Sequence, residues 1–197
     1  MSLEDRRAAL VSATEPLLER FGRDVSTRQI AEAAGVAEGT IFRAFGTKDE
    51  LIDAVVDEVL DEKRTRDAIA AIDRGLPLPE RLLAAVTILQ DRTRRVFALF
   101  HALRLRPGWA GGNHDNPPAH ETLMARQRHD KEQLELVLLD LLGPDTASLR
   151  VSPVEAVTVL RATVFALTHP LLGDERLSRP ERIVDLVLHG VRKDCSC

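Results

Sequence analysis

Apolar residues recur along this chain at the three- and four-residue spacing of amphipathic helices. The first helix is predicted at about residues 4–21, and its apolar face comprises Leu10, Thr14, Leu17 and Phe21. The larger second half repeats the pattern at about residues 80–105, 118–142, 153–171 and 179–192. No segment carries the residue pattern typical of β-strands. The sequence therefore predicts an all-α fold.

Several predicted helices begin at a capping box, in which a Ser or Thr is followed three residues later by an acid or amide. The clearest pairs are Ser26 with Gln29, Thr47 with Glu50, Ser152 with Glu155, and Ser178 with Glu181. Between two short helices, at about residues 27–34 and 37–44, Gly35 can supply the positive φ of a tight turn.

The predicted helices divide the chain into a small N-terminal part and a larger bundle. A helix beginning near Lys48 is expected to continue through the charged segment 61–67 as a long connector. The predicted division is a three-helix domain at residues 1–47, a connecting helix and linker at 48–78, and a bundle at 79–197. Residues 107–118 have loop composition, and such loops often border binding sites.

Composition limits the class of protein without identifying it. The chain has 197 residues, of which 44% are hydrophobic and 29% charged, which excludes a disordered chain or a disulfide scaffold. Its two cysteines, Cys195 and Cys197, lie too close together to staple a fold. A leader segment and an apolar run of about 18 residues are both absent, so a cytoplasmic protein without a membrane partner is expected.

The net charge does not indicate a nucleic-acid partner, because the chain has 27 basic and 31 acidic residues. Residues 20–48 differ from this average. They contain five basic residues and three acidic ones, a local charge of +2. A local DNA-binding surface is therefore consistent with an acidic protein.

The two short helices have the spacing of a helix-turn-helix, whose second helix enters the major groove. Apolar residues of both helices can pack inward, namely Ile30, Ala31, Ala34, Val36 and Ile41. The same register turns Glu38, Gly39, Thr40 and Arg43 outward. A DNA-reading face is thus predicted at the start of the second short helix.

Residues 21–56, FGRDVSTRQIAEAAGVAEGTIFRAFGTKDELIDAVV, resemble the DNA-binding region of TetR-type (tetracycline repressor-like) transcriptional regulators. The resemblance implies phosphate contacts from Thr27, Arg28 and Lys48. It implies groove contacts from Glu38, Gly39, Thr40 and Arg43. The alternatives are an ordinary first helical turn after Ser26 for Thr27 and Arg28, and a solvated helix face for Thr40 and Arg43.

The segment departs from the family pattern at two positions. Phe42 stands where the family usually has a Tyr whose hydroxyl reaches phosphate, and Ala44 replaces a frequent aromatic residue. A lost hydrogen bond to a charged acceptor costs about 1.5 to 3 kcal/mol, which Arg43 can offset. Phe42 is therefore either part of the DNA-binding face or a core residue.

The resemblance also implies that the C-terminal bundle binds a ligand and forms a homodimer, so that paired heads bind palindromic double-stranded operator DNA. Apolar residues of the last two predicted helices suit a four-helix interface between two copies, and the alternative is packing within one chain. These residues are Val157, Leu160, Val164, Leu167, Ile183, Val184, Val187, Leu188 and Val191.

A ligand pocket is harder to locate, because each apolar candidate also suits the core. The candidates are Phe97, Phe100, Leu103, Trp109, Met124, Leu138, Arg161 and Phe165. Arg161 interrupts an apolar helix, and either Asp140 or an acidic ligand can balance its charge. His169 is expected at a helix end.

The sequence lacks the motifs that would indicate a helical metalloenzyme or another metal-binding protein. Paired Glu-x-x-His and His-Glu-x-x-His elements are missing, and His114, His120 and His129 do not have metal-ligand spacing. No catalytic residue, metal or cofactor is predicted. The expected function is a ligand-responsive repressor that a small-molecule effector releases from DNA. The alternative is a helical ligand-binding or interaction protein that has lost specific DNA binding.

Overall fold

The structure is a computed structural model that describes residues 2–104 and 117–191; side-chain surroundings are described for residues 2–104 and 129–189 except Pro144. These residues form helices and no extended strand. The helices are α1 (Leu3–Phe21), α2 (Thr27–Ala34), α3 (Gly39–Phe45), α4 (Lys48–Leu60), α5 (Lys63–Ala70), α6 (Leu78–Ala102), α7 (Pro117–Leu142), α8 (Pro153–Thr168) and α9 (Pro180–Val191). The predicted all-α fold is confirmed.

Most predicted helix starts are confirmed by their caps. In the box at Ser26, the hydroxyl accepts from the Gln29 amide at 3.2 Å, and the Gln29 side chain accepts from the Ser26 amide at 2.9 Å. Ser152 forms the same box, and the Thr47 hydroxyl accepts from the Glu50 amide at 3.1 Å. Ser178 differs: it lies two residues before α9, and its hydroxyl donates to the Glu175 carbonyl at 3.3 Å.

The predicted long connector is wrong, because the helix that starts at Lys48 ends at Leu60. Asp61 adopts an extended conformation with φ −63° and ψ 121°, and the separate helix α5 begins at Lys63. The buried residues of α5 are Thr65 and Ile69. The charged sequence did not reveal this break because no Pro or Gly marks it.

The helices pack into two compact units. The first comprises the described residues of 1–61 and 95–125, the second those of 62–94 and 126–197. These units are defined by packing, and the three-part division at residues 47 and 78 stays a prediction.

The first unit packs α1 against α2, α3 and α4. Its apolar core takes residues from all four helices and from the last turns of α6, including Leu10, Leu18, Ile30, Ile41, Leu51, Ile52, Val55 and Leu99. On α1 the buried face is Leu10, Thr14 and Leu18, while the predicted Leu17 and Phe21 are partly buried. Truncating one such leucine to Ala costs about 2 to 5 kcal/mol, so this core holds α2 and α3 in place.

The second unit has its own core, built from α5, the first part of α6, the last turns of α7, α8 and α9. Two buried polar side chains on α6 brace it. The guanidinium of Arg81 donates to the Leu141 carbonyl and to Asp145. The amide of Gln90 donates to the Ser178 carbonyl at 2.8 Å. These bonds satisfy most of the polar atoms that packing removes from water.

Candidate functional site

The helix-turn-helix is built from α2, Gly35 and α3. Gly35 ends α2 in the left-handed conformation, with φ 65° and ψ 33°. The Val36 amide then bonds the Ala31 carbonyl at 3.0 Å, which closes the turn toward α3. Residues of both helices are buried against the first core, including Ile30, Ala31, Ile41, Ala44 and Phe45. The turn and this apolar contact fix the orientation of α3.

Burial of one side of α3 leaves the other side open to solvent. Glu38, Gly39 and Arg43 are exposed, and Phe42 is 50% exposed. Within the described part of the chain, no hydrogen bond or ion pair engages Arg43. The structure therefore leaves the Arg43 guanidinium available for a phosphate or a guanine edge, the two partners that arginine commonly binds on DNA.

Two of the predicted phosphate contacts already have partners inside the protein. The Thr27 hydroxyl donates to the carboxylate of Glu38, which links α2 to the start of α3. Arg28 forms an ion pair with Glu32 at 3.1 Å, with both side chains mostly exposed. An exposed pair of this kind contributes at most about 1 kcal/mol, so Arg28 can exchange Glu32 for a phosphate at small cost.

Lys48 lies at the first turn of α4 and connects it to the segment before α2. Its ammonium donates to the carbonyl of Arg23 at 2.9 Å and to that of Val25 at 3.2 Å. An ammonium has three donors, so one remains for a phosphate. Lys48 therefore has a structural role in addition to the phosphate contact that the family resemblance implies.

Arg7 is a residue that sequence reasoning missed. Its guanidinium donates to the Ala44 carbonyl and lies 4.2 Å from the centre of the Phe45 ring. Both partners belong to the C-terminal turn of α3, where a cation is favoured by the helix dipole. No local signal predicts this contact, because 37 residues separate Arg7 from Ala44.

The second unit contains a cavity of about 400 Å³ between its helices. Leu89, Leu134, Val164 and Phe165 form its apolar walls. Its charged residues are Glu62, Arg92, Lys131, Glu135 and Arg161. The Arg92 Nη2 atom lies 3.2 Å from Glu62 Oε1, whereas Arg161 Nη1 is 4.0 Å from Glu135 Oε2. Apolar walls with a few charged groups are typical of small-molecule sites.

Comparison with known proteins agrees with the helix-turn-helix. Residues 10–55 match the family model described as bacterial regulatory proteins, tetR family. An HTH-type transcriptional repressor of Mycobacterium tuberculosis is 39% identical over 111 residues, which cover 50% of this chain and 58% of the relative. The match therefore spans little more than half the length of that curated relative.

Solved structures extend the likeness of fold to nearly the whole chain. A TetR transcriptional regulator from Streptomyces coelicolor aligns over 96% of this chain and 99% of its own, with 21% identity and a TM-score of 0.60. The family match itself is confined to residues 10–55, the helix-turn-helix part of this chain. The superantigen PfiT aligns over 98% of this chain and 100% of its own, with 20% identity and a TM-score of 0.62. At such low identities, these structures show the fold alone.

The structure brings only part of the predicted pocket together. Arg161 and Phe165 line the cavity. Leu138 is buried in the second core and Leu103 in the first, while Phe97 and Phe100 lie partly buried in the last turns of α6. These four residues do not line that cavity. Other predictions fall outside the described residues or side chains, namely those on Trp109, His114, His120, Met124, Val191, Cys195 and Cys197.

The predicted pair of Arg161 with Asp140 is wrong. Asp140 instead lies 2.8 Å from Arg74, and the acid nearest Arg161 is Glu135. The two acids are five residues apart on α7, so they lie on different faces of the helix. His169 is confirmed at a helix end, because it forms the C-cap of α8.

The apolar residues predicted to form a dimer interface are used inside the chain. The buried members are Val157, Leu160, Val164, Ile183, Val184, Val187 and Leu188, and Leu167 packs against them. Sequence spacing identified the apolar face correctly but not its partner, because this face packs into the core of the same chain. The large apolar residues left exposed on α8 and α9 are Val154, Val159, Phe165 and Leu186.

The described residues contain neither a cluster of metal ligands nor a membrane-spanning helix. No group of three or more His, Cys, Asp or Glu side chains there has the arrangement of a metal site. None of the helices described is long and apolar enough to span a membrane.

Proposed function

We propose that this chain is a transcriptional repressor that binds palindromic operator DNA as a homodimer and leaves it when a small molecule binds. The observation that carries the proposal is the open face of α3, with Arg43 unengaged by the described residues and Gly39 and Phe42 exposed. The repressor name of the Mycobacterium tuberculosis relative supports the direction of regulation.

Recognition would combine phosphate and base contacts. Arg28 and Lys48 would hold phosphates, with Thr27 orienting Glu38 at the start of α3. Glu38, Gly39, Thr40 and Arg43 would face the base edges of the major groove. Gly39 supports close approach, because a Cβ placed there meets no atom within 4 Å and only the DNA would be crowded by one.

Two copies would place two such heads on successive major-groove faces, about 34 to 36 Å apart. Val159 of α8 and Leu186 of α9 are exposed apolar residues, and such residues support a contact between copies through the second unit. A dimer that buries them would remove apolar surface from water in each partner. The cavity of the second unit would hold the effector.

A second candidate is a helical ligand-binding or interaction protein that retains the fold without operator binding. The superantigen PfiT shares the fold, so architecture by itself does not require a regulator. Phe42, which lacks the phosphate-binding hydroxyl, and the acidic Glu38 on the DNA-facing side favour this alternative.

Fluorescence anisotropy separates the two candidates. The labelled DNA is the segment upstream of the chain's own gene, titrated with protein at several salt concentrations against unlabelled competitor. If each head uses Arg28 and Lys48 with help from Arg43, the dimer neutralises about four to six phosphates, and the log–log salt slope is about −4 to −5.

A competitor-resistant complex of two chains per palindrome with this slope supports the repressor. If that segment yields only weak, sequence-indifferent binding, selection from random DNA tests whether another operator exists. Failure of both experiments contradicts operator binding and supports the second candidate.

A further inference from the structure

We propose that the cavity of the second unit binds amphipathic carboxylates, with the anionic group held by Arg161 and Lys131. Binding itself does not depend on the proposed function. Only the identification of the bound carboxylate as the effector rests on it. The inference comes from the unequal way in which the cavity's charges are balanced.

The apolar part of such a ligand has a defined place. Leu89 of α6, Leu134 of α7, and Val164 and Phe165 of α8 line the cavity. Phe165 is 53% exposed although it is a large apolar side chain. Covering its ring with an apolar ligand group would therefore be favourable. A bound alkyl or phenyl group would remove this surface from water, at roughly 25 cal/mol for each Å².

The charged groups form one close ion pair, one distant ion pair and one further cation, Lys131. Glu62 and Arg92 face each other at 3.2 Å, with side chains only 14% and 23% exposed. Glu135 and Arg161 are 4.0 Å apart, too far for a hydrogen bond. Among the described residues, Lys131 has no ion-pair partner. Three cations therefore face two anions around the cavity.

Arg161 has an ion-pair partner in Glu135, but no hydrogen bond joins the two side chains. The Arg161 side chain is 23% exposed, and the described residues offer its guanidinium no hydrogen bond. A largely buried cation is stable when it is both paired and hydrogen-bonded. A carboxylate meets both needs, because its two oxygens match the guanidinium fork. Lys131, exposed on α7, adds a second positive charge on the same cavity wall.

The acidic residues of the cavity do not favour a cationic ligand. Each carboxylate already has an arginine opposite it.

Isothermal titration calorimetry with matched probes tests the charge preference. One set is phenylbutyrate, phenylbutanol and phenylbutylamine, and a second is decanoate, decanol and decylamine. Within each set the apolar body is constant and only the terminal group changes. A charge-assisted hydrogen bond predicts that the carboxylate binds about 10- to 100-fold more tightly than the alcohol. The amine is expected to bind most weakly.

Variants assign the preference to Arg161. Arg161→Met should weaken phenylbutyrate binding about 10- to 100-fold and leave phenylbutanol binding unchanged. Arg161→Lys keeps the charge without the two-pronged geometry, so an intermediate loss is expected. The control is Arg94→Met, which removes an exposed arginine of α6 that does not line the cavity. Thermal melts of each variant verify that the fold is retained.

Three results would overturn the inference. These are an amine that binds as tightly as its carboxylate, equal phenylbutyrate affinity in Arg161→Met and Arg94→Met, and dissociation constants weaker than about 1 mM for both carboxylates. Adding phenylbutyrate to the operator complex then tests regulation separately. Carboxylate binding without an operator complex supports the cavity and contradicts the repressor, so the two failures are distinguishable.

Discussion

Arg43 and Lys48 differ in what they do inside the protein, although both are cations of the helix-turn-helix. Arg43 is exposed and unengaged by the described residues, whereas two of the Lys48 donors are taken by backbone carbonyls. Substitution of Arg43 should therefore lower the affinity for DNA without changing the stability of the fold. Substitution of Lys48 should lower both the affinity for DNA and the stability of the fold.

For Arg43→Ala we expect operator binding to weaken by about 1 to 3 kcal/mol, with relaxed base preference at one position of each half-site. The melting temperature should not change, because no internal contact is lost. Anisotropy against a set of single-base operator variants gives both values, with Arg94→Ala as the control. Equal weakening on every operator variant would show that Arg43 binds only phosphate.

For Lys48→Ala we expect a loss of about 1 to 2 kcal/mol in the free energy of unfolding, because the Arg23 and Val25 carbonyls lose a charged donor. Urea unfolding followed by circular dichroism measures this loss. Operator affinity should fall on all sequences, with a shallower salt slope. An unchanged urea midpoint would mean that water replaces the ammonium without cost.

At the scale of elements, the orientation of α3 depends on a turn and two anchors. Gly35 provides the turn, while Arg7 anchors the C-terminal end and the Thr27 hydroxyl bonds to Glu38 at the start. The glycines on either side of this connection have different reasons to be glycine. Gly35 has φ 65°, whereas Gly39 begins α3 without a positive φ.

Gly35→Ala should destabilise the first unit by about 1 to 2 kcal/mol, since an alanine Cβ is unfavourable in the left-handed region. Gly39→Ala is the matched comparison. It should leave stability unchanged or raise it, because helical alanine is favoured and the space around it is open. Urea unfolding of both variants provides the measurement. Equal destabilisation would contradict the assignment of the turn to Gly35.

The packing partners of the apolar helix faces are also decided between elements. The apolar spacing of α8 and α9 identifies buried residues, and the structure places them in the chain's own core. What is left for another molecule lies outside that core, where Val159 of α8 and Leu186 of α9 remain exposed. Two copies would therefore meet through residues that periodicity alone assigns to solvent.

At the scale of the whole molecule, Val159→Glu should shift the chain from dimer to monomer. Burying an unpaired carboxylate in the interface would reduce the free energy of dimerisation by about 3 kcal/mol or more. A two-fold interface contains the substituted residue twice, once from each copy. Sedimentation velocity over a range of concentrations measures the shift. The control is Leu3→Glu, which places the same charge at an exposed apolar residue of α1. A dimer that persists in Val159→Glu would move the interface elsewhere.

The sequence by itself determined most of the helices, most of their caps and the helix-turn-helix, because these depend on contacts between residues three to five positions apart. Ser26 with Gln29, Gly35, and the apolar residues of α2 and α3 are examples. Only the tertiary structure decided which long-range partners each side chain meets. Arg7 reaches Ala44, Lys48 reaches Val25, and Arg161 faces Glu135 instead of Asp140. Periodicity shows which face of a helix is apolar, but packing of the complete chain determines what covers that face.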